Sequence, residues 1–250
     1  MRSHHVRNVV IIWAAITAIG VALSFLIPGV MPQAAASGEH DARLTMLVFT
    51  IISAPVVALV IAIPLYSLVA WRRAGSGAPP EGDGPPIRSN TPVQVAWISI
   101  SSALVLFLMV WGLGELQGAS ANAGPDAMTV NVTGQQWVWS FQYPSSNVES
   151  NKLELPVNQQ VVFNVTSEDV IHGFWIPNFG LKIDANPGEI TQAVVTPAKT
   201  GSFLIRCSEL CGLYHSYMDS TVKVVSQAEF QSWIASGGGD TGSSGNTTGS

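Results

Sequence analysis

Charged residues are scarce in this sequence of 250 residues: Asp, Glu, Lys and Arg together make up 11% of it, whereas hydrophobic residues make up 47%. Soluble domains contain about 25% charged residues, so the composition excludes an ordinary soluble protein over the whole length. Basic residues are rarest in the second half, where twelve Asp and Glu stand against five Lys and Arg from Glu115 onward. An acidic half disfavours nucleic acid, whose phosphates attract Lys and Arg, and suits a basic protein partner or cations.

Cysteine is equally scarce, with two residues in the chain, and no Cys-x-x-Cys-His sequence occurs. This absence excludes a fused c-type haem, which would be attached through such a motif. Any electron that the chain handles must therefore arrive from a separate carrier.

Three apolar runs lie in the first half, and each is long enough to cross a bilayer as a helix. The run at 9–27 contains only two small polar residues, and the runs at 44–71 and 93–114 contain no charged residue. A membrane-spanning helix needs about 20 apolar residues. The sequence therefore predicts a membrane anchor, with a transmembrane helical hairpin over 37–118.

Basic residues beside the runs predict the orientation of this anchor. Two arginines precede the first run, and Arg72, Arg73 and Arg88 lie in the loop 72–92 between the second and third. Lys and Arg near the ends of spans favour the cytoplasmic side, so the loop is predicted to be cytoplasmic. Residues 119–236 then lie on the exterior or periplasmic side of a cell (plasma) membrane that the chain crosses more than once.

The segment 1–36 allows two interpretations. A basic start, an apolar stretch and Ala34-Ala35-Ala36 before Ser37 describe a signal peptide with a cleavage site of small residues. The apolar stretch is long for a signal, however, and equally describes an additional transmembrane helix that is retained. Both interpretations place the C-terminal half on the same side of the membrane.

After residue 118 the sequence changes to short β-branched and aromatic segments separated by turn residues. Strands are predicted at 128–132, 136–142, 160–165, 192–195, 202–205 and 221–225, and a short helix at 227–235. Several short strands at regular spacing are typical of a β-sandwich or barrel. We therefore expect an all-β domain at 119–236 and a disordered Gly/Ser/Thr tail at 237–250.

Both cysteines lie in the stretch CSELCGLYHSYM, at 207–218, together with His215 and Met218. Cys207 and Cys211 are four residues apart, His215 follows four residues later and Met218 three after that, so one tight loop could bring all four side chains together. The acidic half contains one further histidine, His172, in DVIHGFWIP. These five side chains are the candidate ligands of a metal site.

Three chemistries compete for these side chains. A disulfide suits an oxidising exterior, but it would close a very short loop and leave the histidines and the methionine unexplained. Zinc accepts two Cys and two His, but its usual spacings differ and it has no use for a thioether. Thiolate and thioether are soft ligands that suit copper, and a second thiolate could bridge two coppers, an electron-transfer design with no obvious open position for a substrate.

The motifs C-S-E-L-C-G-x-x-H-x-x-M, D-V-I-H-x-F-W-x-P and G-Q-Q-W-V-W-S-F-Q-Y resemble those of subunit II of the haem-copper cytochrome c oxidases, which carries a binuclear CuA site. The resemblance covers nearly the whole chain. It implies a helical hairpin followed by a cupredoxin-like Greek-key β-sandwich. It also implies the electron-transfer subunit of an oxidase, whose oxygen site lies on another subunit.

The resemblance assigns the copper ligands residue by residue. Cys207 and Cys211 would bridge both coppers. His172 and Met218 would complete the first copper, and His215 would complete the second with one backbone carbonyl.

Further residues take implied roles from the same resemblance. The backbone carbonyl of Glu209 would be the remaining copper ligand. The side chain of Glu209 would help to bind magnesium at the interface with the catalytic subunit. Trp137 corresponds to an exposed tryptophan that receives electrons, whereas Trp139 is expected in the core. Asp169 and Asp184 match acidic positions that could dock a basic cytochrome c or face the subunit interface, where charges mainly speed association.

The sequence departs from the family pattern at three places. Gln94 stands where the family commonly has a glutamate associated with proton uptake, and an amide cannot titrate. Glu189 replaces the arginine of a Pro-Gly-Arg sequence, and Val138 replaces a tyrosine. None of these positions is a predicted copper ligand.

The resemblance therefore predicts a respiratory-chain protein that accepts electrons from cytochrome c at CuA. It would pass them to haem in oxidase subunit I, within a complex that contains other oxidase subunits, reduces oxygen to water and transports protons. Two alternatives remain at this stage: the CuA subunit of another haem-copper enzyme such as a nitric oxide reductase, and a non-redox membrane scaffold stapled by a disulfide.

Overall fold

The computed structural model describes residues 2–70, 89–119 and 123–238. The chain divides into two compact units, the first formed by residues 1–31 and 43–115 and the second by 32–42 and 116–250. Two sequence predictions fall mainly outside the described residues: the cytoplasmic loop, of which 72–88 is not described, and the disordered tail, of which 239–250 is not described.

The helices α1 (Arg2–Ser24), α2 (Ile27–Val30), α3 (Gly38–Ala70) and α4 (Thr91–Ala119) precede the β domain. Three stretches are long and apolar enough to cross a membrane: His4–Ser24, Gly38–Ala70 and Thr91–Gly114. The prediction of membrane-anchoring helices followed by a β domain is confirmed. Each helix begins before its apolar run, and α1 ends at Ser24, before the end of the run at 9–27.

Within the first unit, α1 packs against α3. Trp13 Nε1 donates a hydrogen bond to the carbonyl of Pro55 at 2.8 Å. Gly20 faces Ala54 so closely that a Cβ at position 20 would lie 3.3 Å from the Ala54 Cβ. Small residues allow this close approach of two helices, as is common inside membranes.

The second unit is a β-sandwich of two five-stranded sheets. The first sheet has the order β3-β2-β1-β5-β8 and the second β4-β10-β9-β6-β7. The strands are β1 (Met128–Gln135), β2 (Val138–Tyr143), β3 (Val148–Ser150), β4 (Leu153–Pro156), β5 (Val161–Ser167), β6 (His172–Ile176), β7 (Leu181–Ala185), β8 (Thr191–Val195), β9 (Gly201–Cys207) and β10 (Asp219–Val225). Two pairs are parallel, β1 with β5 and β4 with β10, and the others are antiparallel.

Alternating side chains of the two sheets form the core. In β2, Trp139, Phe141 and Tyr143 are buried whereas Val138 and Gln142 are exposed. This period of two is what the pleat of a half-buried strand requires. The expected core position of Trp139 is confirmed.

The six predicted strands are all present, as β1, β2, β5, β8, β9 and β10, and the predicted helix is α5 (Gln227–Ala235). A reciprocal capping box between Ser226 and Glu229 starts α5. Its buried Phe230 and Trp233 pack against Tyr143. Four strands were not predicted, namely β3, β4, β6 and β7.

Residues 32–42 belong to the β unit, although the predicted boundary between the first segment and the hairpin lies at residue 36. Ala35 donates to the carbonyl of Asn178 at 2.8 Å and accepts from the amide of Ala198 at 2.7 Å. Ala35 and Ala36 are 1% and 6% exposed and lie in the β-domain core. We call residues 33–37 the strap, because they connect the end of β6 with the end of β8.

Candidate metal centre

The candidate ligands come together because three neighbouring strands of the second sheet begin or end at the same end of that sheet. β9 ends at Cys207, β10 begins one residue after Met218, and β6 begins at His172. β6 and β9 are paired, with Phe174 opposite Cys207. Between Cys207 and Met218 the chain forms the predicted loop, which we call the ligand loop.

The distances within this site are short. The ligand atoms of His172, Cys207 and Cys211 all lie within 4.8 Å of one another. The two Sγ atoms are 3.7 Å apart. Cys211 Sγ also lies 3.5 Å from His215 Nδ1 and 3.7 Å from Met218 Sδ.

The remaining donors approach the other sulfur. Cys207 Sγ lies 3.9 Å from His172 Nδ1 and 3.2 Å from the carbonyl oxygen of Glu209. The structure thus gathers all the residues that the sequence predicted as ligands, including the Glu209 carbonyl.

No disulfide joins the two cysteines, which are both buried and free. Their sulfur atoms are 3.7 Å apart, against about 2.05 Å in a disulfide. The spacing leaves room for a metal to contact both sulfurs.

The electrostatics of the site also favour a bound cation. Burial, followed by the neighbouring Cys207, raises the pKa of the Cys211 thiol to about 11. Two adjacent thiolates in a buried site repel each other unless a cation neutralises them, and metals bind the thiolate form.

The donor set fits copper better than zinc. Two thiols, two imidazoles, a thioether and a carbonyl are more donors than one tetrahedral zinc ion uses, and the thioether suits a soft metal. The site is therefore compatible with copper.

The two imidazoles differ in burial. His172 and Met218 are completely buried, whereas His215 is half-buried. One side of the site thus faces the core of the sandwich and the other lies near the surface.

Asp169 orients His172. Its Oδ1 lies 2.8 Å from His172 Nε2, and an ionised carboxylate only accepts, so Nε2 donates and Nδ1 is left to face Cys207. Partial burial opposes ionisation of Asp169, but hydrogen bonds from His172 and from the amides of Gln136 and Val170 outweigh it and lower its pKa to about 2. Sequence reasoning placed Asp169 at a docking surface or at the subunit interface and missed its contact with His172. A carboxylate three residues before a ligand histidine was the available signal.

Trp137 is half-buried, although the resemblance predicted an exposed side chain. Its ring meets Tyr214 of the ligand loop edge to face, with ring centroids 4.8 Å apart. It also packs on Gly212, where a Cβ would lie 3.3 Å from the indole. The tryptophan therefore touches the loop segment between Cys211 and His215.

The other singled-out residues differ in burial and in the element that carries them. The Glu209 side chain is half-buried, Asp184 is on β7, and Gln94 is an exposed residue of α4. Glu189 is exposed and accepts a 3.5 Å hydrogen bond from the Asn186 side chain. Val138, the third departure from the family, is exposed beside Trp137.

The chain is similar to known proteins of one family. A family model described as the periplasmic domain of cytochrome c oxidase subunit II matches residues 146–225. Cytochrome c oxidase subunit 2 of Thermostichus vulcanus is 31% identical over 225 residues, a match that covers 69% of this chain and 67% of the relative. The corresponding protein of Cereibacter sphaeroides is 32% identical, with 61% and 63% covered.

Among solved structures, the periplasmic domain of subunit II of cytochrome oxidase (CoxB) of Bradyrhizobium japonicum is similar to part of the chain. The two are 36% identical with a TM-score of 0.45, and the match covers 47% of this chain and 97% of that domain.

Proposed function

Because the chain belongs to the family of cytochrome c oxidase subunit II, we propose that its β domain is the electron-receiving module of a haem-copper oxidase. The main support for this proposal is the site itself, in which two cysteine sulfurs 3.7 Å apart lie together with two imidazoles, a thioether and a carbonyl. By the ligand assignment of the family, these donors would form two sets that share both sulfurs. A binuclear CuA centre held there would supply one-electron redox chemistry.

Each set would hold one copper of that centre. His172 and Met218, which are both completely buried, would form the first set, and His215 and the Glu209 carbonyl would form the second. Cys207 and Cys211 would contribute to both sets. The β-sandwich holds the ligands at fixed positions, so a change of one electron requires little movement of the chain.

Trp137 is the proposed receiving residue. It contacts the ligand loop at Gly212 and Tyr214, so an electron that reaches the indole is one packed contact away from the loop that carries Cys211. Its half-buried position still leaves part of the ring accessible to a donor.

The surface around the loop suits protein partners. Leu210 and Leu213 are 83% and 81% exposed, and Tyr217 is 79% exposed. Exposed apolar clusters of this kind commonly mark interaction sites. The acidic composition of this half favours a basic donor such as cytochrome c, whose association it would accelerate.

The proposed acceptor of electrons from the copper centre is haem in subunit I. That subunit would reduce oxygen to water and pump protons. The half-buried carboxylate of Glu209, a hard oxygen ligand, is the proposed contribution to a magnesium site at that interface. The proposed location is the plasma membrane, with the β domain on the exterior side.

Copper analysis of the purified protein tests the redox proposal. We expect about two coppers per chain, a purple colour and a seven-line hyperfine pattern from one electron shared by two coppers. A stable, folded protein that binds no copper would contradict the proposal. That result would instead support a non-redox membrane scaffold.

A second experiment identifies the enzyme. The complex is purified with its large subunit and supplied with reduced cytochrome c. Consumption of oxygen supports the oxidase, whereas consumption of nitric oxide in its place would support a nitric oxide reductase.

A further inference from the structure

We infer that Gln136 is a positioning residue that fixes Trp137 against the ligand loop and thereby sets the rate of electron input to the metal centre. The inference rests on the proposed function and deepens it. Gln136 makes two hydrogen bonds, one to the predicted ligand Cys211 and one to Asp169, the partner of His172. It directly precedes the proposed receiving tryptophan.

The first hydrogen bond comes from the Gln136 side chain. Nε2 donates to the backbone carbonyl of Cys211 at 2.6 Å. This contact bridges 75 positions of sequence and ends on the peptide of a predicted bridging ligand.

Gly212 makes room for this contact. Its φ is +124°, in a region that L side chains rarely adopt. A Cβ there would lie 2.9 Å from Gln136 Nε2 and 3.3 Å from the Trp137 ring. The absence of a side chain at position 212 therefore lets both neighbours reach the loop backbone.

The second hydrogen bond comes from the Gln136 backbone. Its amide donates to Asp169 Oδ2 at 2.7 Å, while Oδ1 of the same carboxylate accepts from His172 Nε2. Gln136 is thus tied to Cys211 through its side chain and to His172 through Asp169.

The position of Trp137 depends on the two hydrogen bonds of Gln136, because the indole Nε1 makes no hydrogen bond with the described residues that would hold the ring. Within the described part of the chain, the buried indole Nε1 has no hydrogen-bond acceptor. The ring is positioned by packing on Gly212 and Tyr214 and by the preceding residue. Electron transfer between two groups weakens steeply as the gap between them widens, so a loosened ring would slow the transfer.

Gln136 is itself exposed, so a direct contact with the electron donor is the competing explanation. The two roles affect different kinetic constants. A docking residue changes KM for the donor, whereas a positioning residue changes the rate at saturating donor and leaves KM unchanged.

The test is Gln136→Met in the complete oxidase complex. Methionine has a similar length but no N–H donor, so it removes the bond to Cys211. We expect unchanged copper content, a several-fold fall in the rate of copper reduction at saturating reduced cytochrome c, and an unchanged KM. The neighbouring Gln135, exposed at the end of β1, gives the matched control Gln135→Met, which should leave rate and KM unchanged.

Gln136→Lys separates the hydrogen bond from the surface contact. Lysine keeps an N–H donor, so the rate at saturation should stay closer to that of the native protein than in Gln136→Met, while the added positive charge should raise KM for a basic donor. An unaltered reduction rate in Gln136→Met, or a change confined to KM, would overturn the inference. A native protein without the two-copper spectrum would instead overturn the proposed function, and the inference with it.

Discussion

Asp169 Oδ1 lies 2.8 Å from His172 Nε2, so a loop carboxylate whose side chain is 26% exposed orients a completely buried imidazole. The same carboxylate accepts from the Gln136 amide. One residue outside the ligand set thus links a ligand to the segment that carries Trp137. Partners of this kind fix the tautomer and direction of a metal-binding histidine.

Replacing Asp169 by Ala should weaken copper binding by roughly 10- to 100-fold, the usual cost of losing such a partner. The imidazole would lose the acceptor that keeps Nδ1 directed at Cys207. Competition with a chelator measures the effect. Asp169→Asn retains one acceptor oxygen and should bind copper more tightly than the alanine variant; equal affinities of the native and alanine proteins would contradict the role.

Cys211→Ser should abolish the shared-electron centre, because Cys211 Sγ lies within 3.7 Å of the other sulfur, of His215 Nδ1 and of Met218 Sδ. Electron paramagnetic resonance of the copper-treated variant should show no seven-line pattern. Near-ultraviolet circular dichroism of the buried aromatic residues serves as the folding control. Survival of the pattern in the folded variant would rule out Cys211 as a bridge.

Copper uptake should release protons and should tighten as the pH rises. The pKa of Cys211 is raised to about 11, so the metal-free thiol is protonated at neutral pH and copper must displace that proton. Chelator competition at several pH values below the pKa measures the trend. An affinity independent of pH would argue against binding through this thiol.

Much of the fold follows from local sequence patterns, because helix length and strand alternation are local properties. The apolar runs predicted α1, α3 and α4, and six short segments rich in β-branched and aromatic residues predicted strands. β3 and β4 were not predicted because each is at most four residues long and neither is rich in β-branched or aromatic residues. β6 and β7 were likewise not predicted as strands.

The ligands could be predicted for a different reason, because residue types alone identify two thiols, two imidazoles and a thioether. The hydrogen bonds that hold these ligands in place could not be predicted. The bond from Gln136 to Cys211 joins a side chain to a backbone carbonyl 75 positions away, and nothing in the local sequence encodes such a contact. The strap is similar, since Asn178 Nδ2 donates to the carbonyl of Gln33 across 145 positions.

The strap leads to a prediction about stability. Ala35→Asp would place a carboxylate at a position that is 1% exposed, and unfolding of the β domain should become easier by more than about 2 kcal/mol because the buried charge loses its hydration. Urea unfolding of the full chain in detergent, followed by tryptophan fluorescence, measures this. Gln33→Asp is the control, because Gln33 is exposed and contributes only its carbonyl.

The strap also bears on the two interpretations of residues 1–36. Cleavage between Ala36 and Ser37 would remove Ala35 and Ala36 from the β-domain core. We therefore expect the purified protein to retain residues 33–36, which mass spectrometry of the intact chain can establish. A mature chain that begins at Ser37 and is equally stable would show that the strap is dispensable.

Trp137→Ala should slow electron input while the copper spectrum stays unchanged, because the indole contacts the ligand loop but contributes no ligand atom. Trp137→Phe keeps an aromatic ring against Tyr214 and should fall between the native and alanine proteins. Val138→Ala is the matched control, since Val138 is the next residue and is 59% exposed. Rapid-mixing measurements of copper reduction by reduced cytochrome c compare the four proteins. If Trp137→Ala accepts electrons as fast as Val138→Ala, the electrons reach the centre by another route, and the exposed aromatic residues of the ligand loop, Tyr214 and Tyr217, become the positions to replace next.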